Sequence, residues 1–351
     1  YNHSSTTLKS IDSKLIQLEI VLSADPMDKK NNLAINPIDA VITWVDGKSE
    51  RHRQRRLHHM SKERTALHEN AINPHRWECN DEIIYCLKSI ANHAPWVRTI
   101  WIVVDEEVPD LSSLPDALRR KILIAYHHEI FASFQDALPT FNSLAIESMI
   151  WRIGGLSERF LYFNDDVFLT APLQPTDVFE GNAPVLRGKW ANYASIVSDP
   201  NADKDPSLFN HFMQINAAKM LCFKETHLFA AAHVVHPFLC SKMEHLFSKF
   251  PDAFKNNITH RFRDLSQFLP QGLHNHACIN DGCVVLNLEE DHTHIWSGIG
   301  LTSSSGDTYA LLKSASEHQV KFLCVNDLPQ LEKIIPNVRT LISRAVAPKI
   351  S

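Results

Sequence analysis

Phe160-Leu161-Tyr162-Phe163 reads as an apolar strand, and it stops abruptly at Asn164-Asp165-Asp166. Adjacent carboxylates repel one another unless a cation lies beside them, and hard divalent ions such as Mg2+ or Mn2+ take such oxygen ligands. The alternative is an Asx turn or helix cap at a strand end, although Val167-Phe168-Leu169, which follows, does not resemble a helix start. The same device recurs where Phe322-Leu323-Cys324-Val325 runs into Asn326-Asp327. If both strands lie in one sheet, the two acidic tips converge on one ion. Asp39 and Asp46, flanking the apolar run 38–45, are further candidates, each more often a turn residue when taken singly.

Two other groups suit work on a phosphate. His236 is followed by Pro237, which fixes the backbone beside a candidate general base or phosphate donor. Arg261-Phe262-Arg263 places two guanidinium groups on one side of an extended segment, as bidentate phosphate contact requires, with a salt-bridged surface as the alternative. His127-His128 and His274-x-His276 have spacings compatible with a transition metal, but among 20 His most are structural or exposed. Seven Cys, none in a C-x-x-C pair, read mostly as buried thiols. Glycine excludes the two common phosphate cradles. Gly298-x-Gly300 has Ser303 where a dinucleotide fingerprint needs a third Gly, and neither Gly47-Lys48 nor Gly188-Lys189 follows a P-loop glycine. Nucleotide phosphates here must be held by side chains, metal or a helix N-terminus.

The elements that carry these residues alternate. Strands are expected at 38–45, 99–104, 121–126 and 160–163, with helices over 48–75, from Asn80-Asp81-Glu82 to Ala94-Pro95, and over 143–153. That rhythm predicts βαβ units and a mostly parallel sheet, whose ligand residues gather past the carboxyl ends of strands. Residues 208–260 have helical spacing, and 321–325 reads as a late strand returning to the first sheet. The expected organisation is an N-terminal helical segment or linker, 1–35, with an apolar face of Leu8, Ile11, Leu15 and Leu18, and one catalytic domain, 36–340. Within that domain lie a βαβ core at 36–190, a mainly helical insertion at 191–315 and the return strand at 316–340. With 35 Lys+Arg against 40 Asp+Glu the chain lacks the global basic surface of a nucleic-acid binder. Its longest apolar runs fall far short of the ~20 residues of a membrane span. The chain opens on Tyr1 without a signal-peptide pattern, which fits a piece trimmed from a longer protein. Asn2-His3-Ser4 and Asn257-Ile258-Thr259 have the pattern of glycosylation sequons.

In this order the blocks resemble the Stealth family, which includes bacterial capsule-polymer hexose-1-phosphate transferases and the animal N-acetylglucosamine-1-phosphotransferase of lysosomal enzymes. Residues 38–47, centred on Thr43-Trp44-Val45-Asp46-Gly47, are similar to its first conserved region. Residues 76–177 are similar to the second, with Asn80-Asp81-Glu82, Ala94-Pro95-Trp96-Val97-Arg98, Leu138-Pro139-Thr140-Phe141-Asn142-Ser143, Ala145-Ile146-Glu147 and Asn164-Asp165-Asp166. His236-Pro237, Phe250-Pro251 and Arg261-Phe262-Arg263 follow the third, and 322–327 the fourth; Gln267 stands where the family tends to place an acid.

The resemblance implies a Rossmann-like, glycosyltransferase-A-like α/β core with a helical insertion. It implies a UDP-sugar donor, and transfer of the sugar with its phosphate to a glycan or polysaccharide hydroxyl, releasing UMP. Under that reading the turn from Thr43 to Gly47, through Trp44, Val45 and Asp46, takes the nucleoside, with Asn80 nearby, because a strand-end Trp offers a face to uracil. Asp166 and Asp327, with Asp165 as third, hold Mg2+ or Mn2+ beside Asn326, and Arg263 neutralises the transferred phosphoryl group. His236 takes the acceptor's proton, with Asp166 as the competing base. The rivals are a glycosyltransferase releasing UDP, a glycan-binding module without turnover and a metal-dependent phosphodiesterase. A cytoplasmic enzyme of capsule or surface-polymer synthesis, at most peripheral to the membrane, is expected, with the Golgi lumen as the alternative.

Overall fold

A computed structural model describes residues 36–77, 81–295, 305–316 and 320–349. The expected helix at 1–35, Asn80, Cys79, the Asn2 sequon and Gly298 and Gly300 lie outside them. The architecture below is that of the unit Ile38–Ser351.

Strand β1 (Ile38–Thr43) alternates its side chains between two apolar layers. Ile38, Ala40 and Ile42 enter one, while Val41 enters the other. Its neighbours β2 (Ile100–Val104), β3 (Ile122–Tyr126) and β4 (Arg159–Asn164) alternate likewise, and a strand buried on both faces reads as a nearly continuous apolar run. Burying each Ile, Leu or Phe stabilises the fold by roughly 1.5–3 kcal/mol. The sheet order is β3-β2-β1-β4, all parallel, with an antiparallel fifth strand, 236–239, on the β4 edge. Chain order reverses between β1 and β4, so a crevice opens past their carboxyl ends. The α/β class and mostly parallel core are those expected.

Helix α1 (Glu50–Met60) follows β1 and buries no residue, as its many Arg and His dictate. Helix α2 (Glu82–His93) lays Ile83, Cys86, Leu87 and Ile90 on the first layer. The helix expected over 143–153 is shorter. Helix α3 (Ser143–Glu147) gives way to a 3-10 turn at Ile150–Arg152, and Ser148 Oγ donates back to the Leu144 carbonyl, which loosens the last turn.

Beyond β4, strand β5 (Val167–Leu169) leaves the first sheet, and β6 (Phe179–Glu180) and β7 (Ala183–Ala191) begin a second. The region 191–315 is less helical than expected. Helix α4 (Phe209–Lys219), β8 (Leu228–Ala231), β9 (His236–Leu239), α5 (Cys240–Lys249), α6 (Pro251–Thr259), α7 (Pro270–Asn280), β10 (Val285–Asn287) and β11 (His292–Ile295) alternate through it, and β9 is the fifth strand of the first sheet. Pro237, which has no N–H, is tolerated there because β9 is an edge. Where β7 meets β8, a Cβ at Gly188 would lie 2.3 Å from the Ala230 carbonyl oxygen, so the close pairing admits only glycine.

The late strand β12 (Phe322–Val325) does not return to the first sheet. It pairs with β5 and β11 in a separate three-stranded sheet, and helices α8 (Leu328–Ile334) and α9 (Val338–Val346) cover the same apolar layer as α2. Apolar content placed this strand in the core, but its partner is set by the turn after β4. Three of the cysteines expected to be buried are so, Cys86, Cys278 and Cys324, whereas Cys222 and Cys283 are exposed. The Asn257 sequon is structural. The side chain is fully buried and donates to Ser148 Oγ and the Phe268 carbonyl. Among the described residues no helix is long and apolar enough to cross a membrane.

Candidate active site

The crevice between β1 and β4 is floored by a hydrogen-bonded chain. Thr43 Oγ1 meets the Tyr162 hydroxyl at 3.0 Å, and that hydroxyl donates to Asn164 Oδ1 at 2.8 Å. On the β1 side, Trp44, Val45 and Asp46 line a small cleft with Arg51, His52 and Arg55 of α1. The Trp44 indole N–H is buried without a partner, a donor left for a ligand. Asp46 Oδ1 accepts from the Lys48 amide, an Asx turn that shapes the loop. The arginines are already matched, Arg51 to Glu106 at 2.7 Å and Arg55 to Asp105 at 2.8 Å, so this cleft is aromatic and charge-balanced rather than cationic.

On the β4 side, the acidic run is the joint at which the chain passes from the first sheet to the third. Val167 pairs with Cys324, and the Val325 amide donates to the Asp166 carbonyl at 3.0 Å, so both acidic tips meet across an antiparallel ladder. Asn326 Nδ2 donates to Asp166 Oδ2, while Asp166 Oδ1 is buried with no partner. Burial first, then repulsion between the two carboxylates and from Glu82, pushes Asp165 well above the usual carboxylate range. Burial likewise raises Asp166 to about 6, with Asp327 adding to the rise and Asn326 and His294 opposing it. Asp327 is at the N-cap of α8 in the left-handed region, φ 56°. Asp165 and Asp327 each repel Asp166, whose Oδ1 is orphaned, and such oxygens are the donors a hard divalent cation takes, although the three carboxylates are not gathered within ligand distance of one another in this structure.

Arg263 lies in a buried polar network that the short motifs did not disclose. It donates to Ser143 Oγ at 2.9 Å and Asn70 Oδ1 at 3.1 Å, and its Nε is buried unpaired. Arg76 Nη1 also approaches Asn70 Oδ1, at 3.4 Å, so two guanidinium groups crowd one amide. Their counter-charge is the buried Glu147, whose Oε2 accepts from Gln271 at 2.8 Å. Burial lowers Arg263 to about 10 and raises Glu147, and each opposes the other's shift. An anion placed on this pair of arginines would restore the charge they lack.

His236, on β9, stands opposite Tyr162 of β4 in the antiparallel register. Burial, with His233 and His274 nearby, lowers it to about 3, so it is a neutral imidazole at physiological pH. His233, three residues earlier, stacks on His294 at 5.0 Å between ring centroids, and His294 Nε2 donates to Asn326 Oδ1. The spacing His233-x-x-His236 was the available sequence signal for His233. Glu147 stood in the matched block Ala145-Ile146-Glu147 without a role, and nothing local pointed to His294 or Arg76.

Other candidates fall elsewhere. Asp39 is at the opposite end of β1, buried and fully engaged by Arg98, Trp101 and the Ser157 amide. Arg261 does not share Arg263's site, because its guanidinium donates to the Asp136 and Leu138 carbonyls. His274 and His276 are structural, their Nε2 atoms accepting the Leu239 and Phe229 amides. Gln267 bridges Asn142, Asn257 and the Asp264 amide; an acid there could not donate to the Asn257 carbonyl as Gln267 Nε2 does. His127 is buried, and desolvation lowers it to about 4.

Conserved region 2 of the Stealth proteins matches residues 76–185. An exopolysaccharide phosphotransferase of Streptomyces coelicolor is 32% identical over 238 residues, covering 67% of this chain and 42% of that protein. The capsular polysaccharide phosphotransferase fcs1 of Haemophilus influenzae is 33% identical over 236 residues, covering 65% of this chain and 61% of that protein. The chain thus spans less than two thirds of either relative. Among solved structures, the galactosyltransferase LgtC in complex with donor and acceptor sugar analogues overlaps 90% of this chain and 98% of its own, with a TM-score of 0.45 and 10% identity. Carrying the conserved region that holds its Asn164-Asp165-Asp166 joint, and related at this level to polysaccharide phosphotransferases, the chain belongs to the Stealth family.

Proposed function

We propose that this chain transfers a hexose-1-phosphate, such as N-acetylglucosamine-1-phosphate, from a UDP-sugar to a glycan hydroxyl. The reaction forms a phosphodiester and releases UMP, in the synthesis of a capsule or related surface polymer. The single observation that carries the reading is the acidic joint, where the strand tips at Asp165-Asp166 and Asn326-Asp327 are tied together by the Asn326–Asp166 hydrogen bond and leave Asp166 Oδ1 buried and unpaired. The kinship to proteins named as capsular and exopolysaccharide phosphotransferases supports it.

In this reading one domain, 36–340, carries the site. Trp44 and the turn through Gly47 receive the nucleoside, the indole N–H meeting a base carbonyl. Asp165, Asp166 and Asp327, steadied by Asn326, would hold Mg2+ or Mn2+, which when bound screens the donor diphosphate. Arg263 neutralises charge on the transferred phosphoryl group. Attack by the acceptor oxygen on the sugar-proximal phosphorus breaks the bond to the bridging oxygen, which leaves on UMP, and the anomeric C–O bond survives. His236, held neutral, offers its lone pair to the acceptor hydroxyl. Asp166 competes for the same proton. The enzyme of this reading works in the cytoplasm, with membrane association at most peripheral, and the bacterial origin of the relatives supports that location.

The test is one incubation with Mg2+, a panel of UDP-sugars and glycan acceptors. UMP release, with a diester resonance in the product's phosphorus NMR spectrum, is expected. UDP release with no phosphorus in the product would make the protein a glycosyltransferase, and no turnover with saturable glycan binding would make it a binding module.

A further inference from the structure

We propose that His233, His294 and Cys324 form a second metal site, of borderline-soft character and suited to Zn2+, whose occupation antagonises the divalent ion on the acidic joint. One ligand atom from each residue lies within 4.8 Å of the other two. Around a tetrahedral zinc, with Zn–N of 2.0–2.1 Å and Zn–S near 2.3 Å, ligand atoms are about 3.3–3.8 Å apart, so side-chain rotations of about 1 Å close the site.

The backbone sets two of the ligands side by side. His294 of β11 and Cys324 of β12 are direct partners in the parallel register. His233 comes from the turn between β8 and β9, its ring stacked on that of His294. His233 and His294 are mostly buried but keep some accessible surface by which an ion can enter, whereas Cys324 is fully buried.

The donor chemistry agrees with the geometry. Thiolate and imidazole select zinc-like ions over Mg2+, which prefers oxygen. Both imidazoles are lowered to about 4 by burial, so at neutral pH no proton competes for their lone pairs. Because His294 donates through Nε2 to Asn326 Oδ1, its lone pair is on Nδ1, and the Nε2–H bond becomes the outer hydrogen bond that metal-bound histidines ordinarily carry. Burial and Asp166 keep the Cys324 thiol protonated, so zinc must displace that proton. Binding forms a Zn–S bond and releases one H+ to solvent.

Antagonism follows from position. The Asn326 that His294 holds is the same residue that holds Asp166. Two divalent charges at adjacent sites repel, and the coupling is reciprocal. This consequence rests on the proposed role of the acidic joint; binding at His233, His294 and Cys324 does not.

The experiment uses the full chain with Co2+ as the spectroscopic probe. A near-ultraviolet thiolate-to-cobalt band, one proton released per ion, and displacement by Zn2+ are expected. Cys324→Ser should remove the band and weaken Zn2+ binding at least tenfold. Should that variant fail to fold, His233→Gln, in the turn outside the core, should weaken binding similarly. Saturating Mg2+ should weaken Co2+ binding, and Zn2+ should inhibit turnover less as Mg2+ is raised. Absence of the band and of proton release overturns the site, whether or not turnover is found. A band that Mg2+ leaves unchanged or strengthens overturns the antagonism alone, and absence of turnover with an intact band bears on the proposed reaction and not on this site.

Discussion

Replacing Arg263 with alanine separates its service to the fold from its service to the chemistry. The side chain supplies charged hydrogen bonds to Asn70 and Ser143 and the positive charge that Glu147 faces. Its removal leaves the buried Glu147 with Arg76 as its remaining counter-charge, a weakened form of a change that costs about 3–5 kcal/mol when the charge is left wholly unpaired. In a Glu147→Gln background the same substitution should cost roughly 1–2 kcal/mol, because only hydrogen bonds are lost. The difference, about 2 kcal/mol, is a coupling energy measurable from urea midpoints in a double-mutant cycle. The deficit should also depend on pH. Without Arg263 the Glu147 pKa, already raised, rises further, and a raised acid favours the folded state below its unfolded pKa and disfavours it as pH climbs through the folded one. Arg263→Ala should therefore be weakest near pH 8 and partly recovered near pH 5.5. If Arg263 also meets the transferred phosphoryl group, the double variant regains stability while turnover stays down by about 100-fold or more. Near-normal turnover in the Arg263→Ala, Glu147→Gln protein would refute a chemical role and leave Arg263 as the counter-charge of Glu147.

Chelation should abolish UMP release and added Mg2+ or Mn2+ restore it, with Asp327→Asn and Asp166→Asn folded by circular dichroism but nearly inactive. Trp44→Ala should raise the donor KM at least tenfold with a smaller effect on kcat, and Trp44→Phe, which keeps a ring but loses the indole N–H, should fall between, as donor titrations would show. If Asp166 takes the acceptor's proton, His236→Ala should keep most of kcat; a kcat lost in His236→Ala with the donor KM unchanged would assign the proton to His236. His236 and His274 are both lowered to about 3 by burial, so the unfolded chain binds more protons below about pH 6.5. Stability should be full above that pH and fall steadily towards pH 3, by on the order of 5 kcal/mol for each, in denaturant titrations across that range.

The first sheet was legible because its inner strands β2, β1 and β4 are buried on both faces and bounded by turns, which leaves continuous apolar runs such as Ile100 to Val104 in the sequence. The acidic tips were legible for a related reason, since polar side chains at the end of an apolar strand need an explanation. What could not be read was partnership. Nothing in Phe322-Leu323-Cys324-Val325 says whether it joins β4 or β5, because pairing is chosen by the turn that releases β5 and by the helices that cover it. The bond between Asn326 and Asp166 spans 160 positions in sequence. Arg76 and Glu147 were likewise hidden, each an ordinary helical-segment residue until Asn70, Ser143 and Gln271 are folded around it.

The passage of one chain through the acidic joint from a five-stranded sheet into a three-stranded one has a thermodynamic side. Strands β5, β11 and β12 have only three or four residues each, against six in β1 and β4. The small sheet rests on its packing into the first apolar layer and on the Asn326–Asp166 hydrogen bond across the joint. A ligand that binds only the assembled joint adds RT ln(1 + [L]/Kd) to its stability, about 2.7 kcal/mol at a hundredfold excess over Kd. Under the proposed function the small sheet would therefore be more stable with donor and metal bound than without them, while the five-stranded sheet would gain nothing directly.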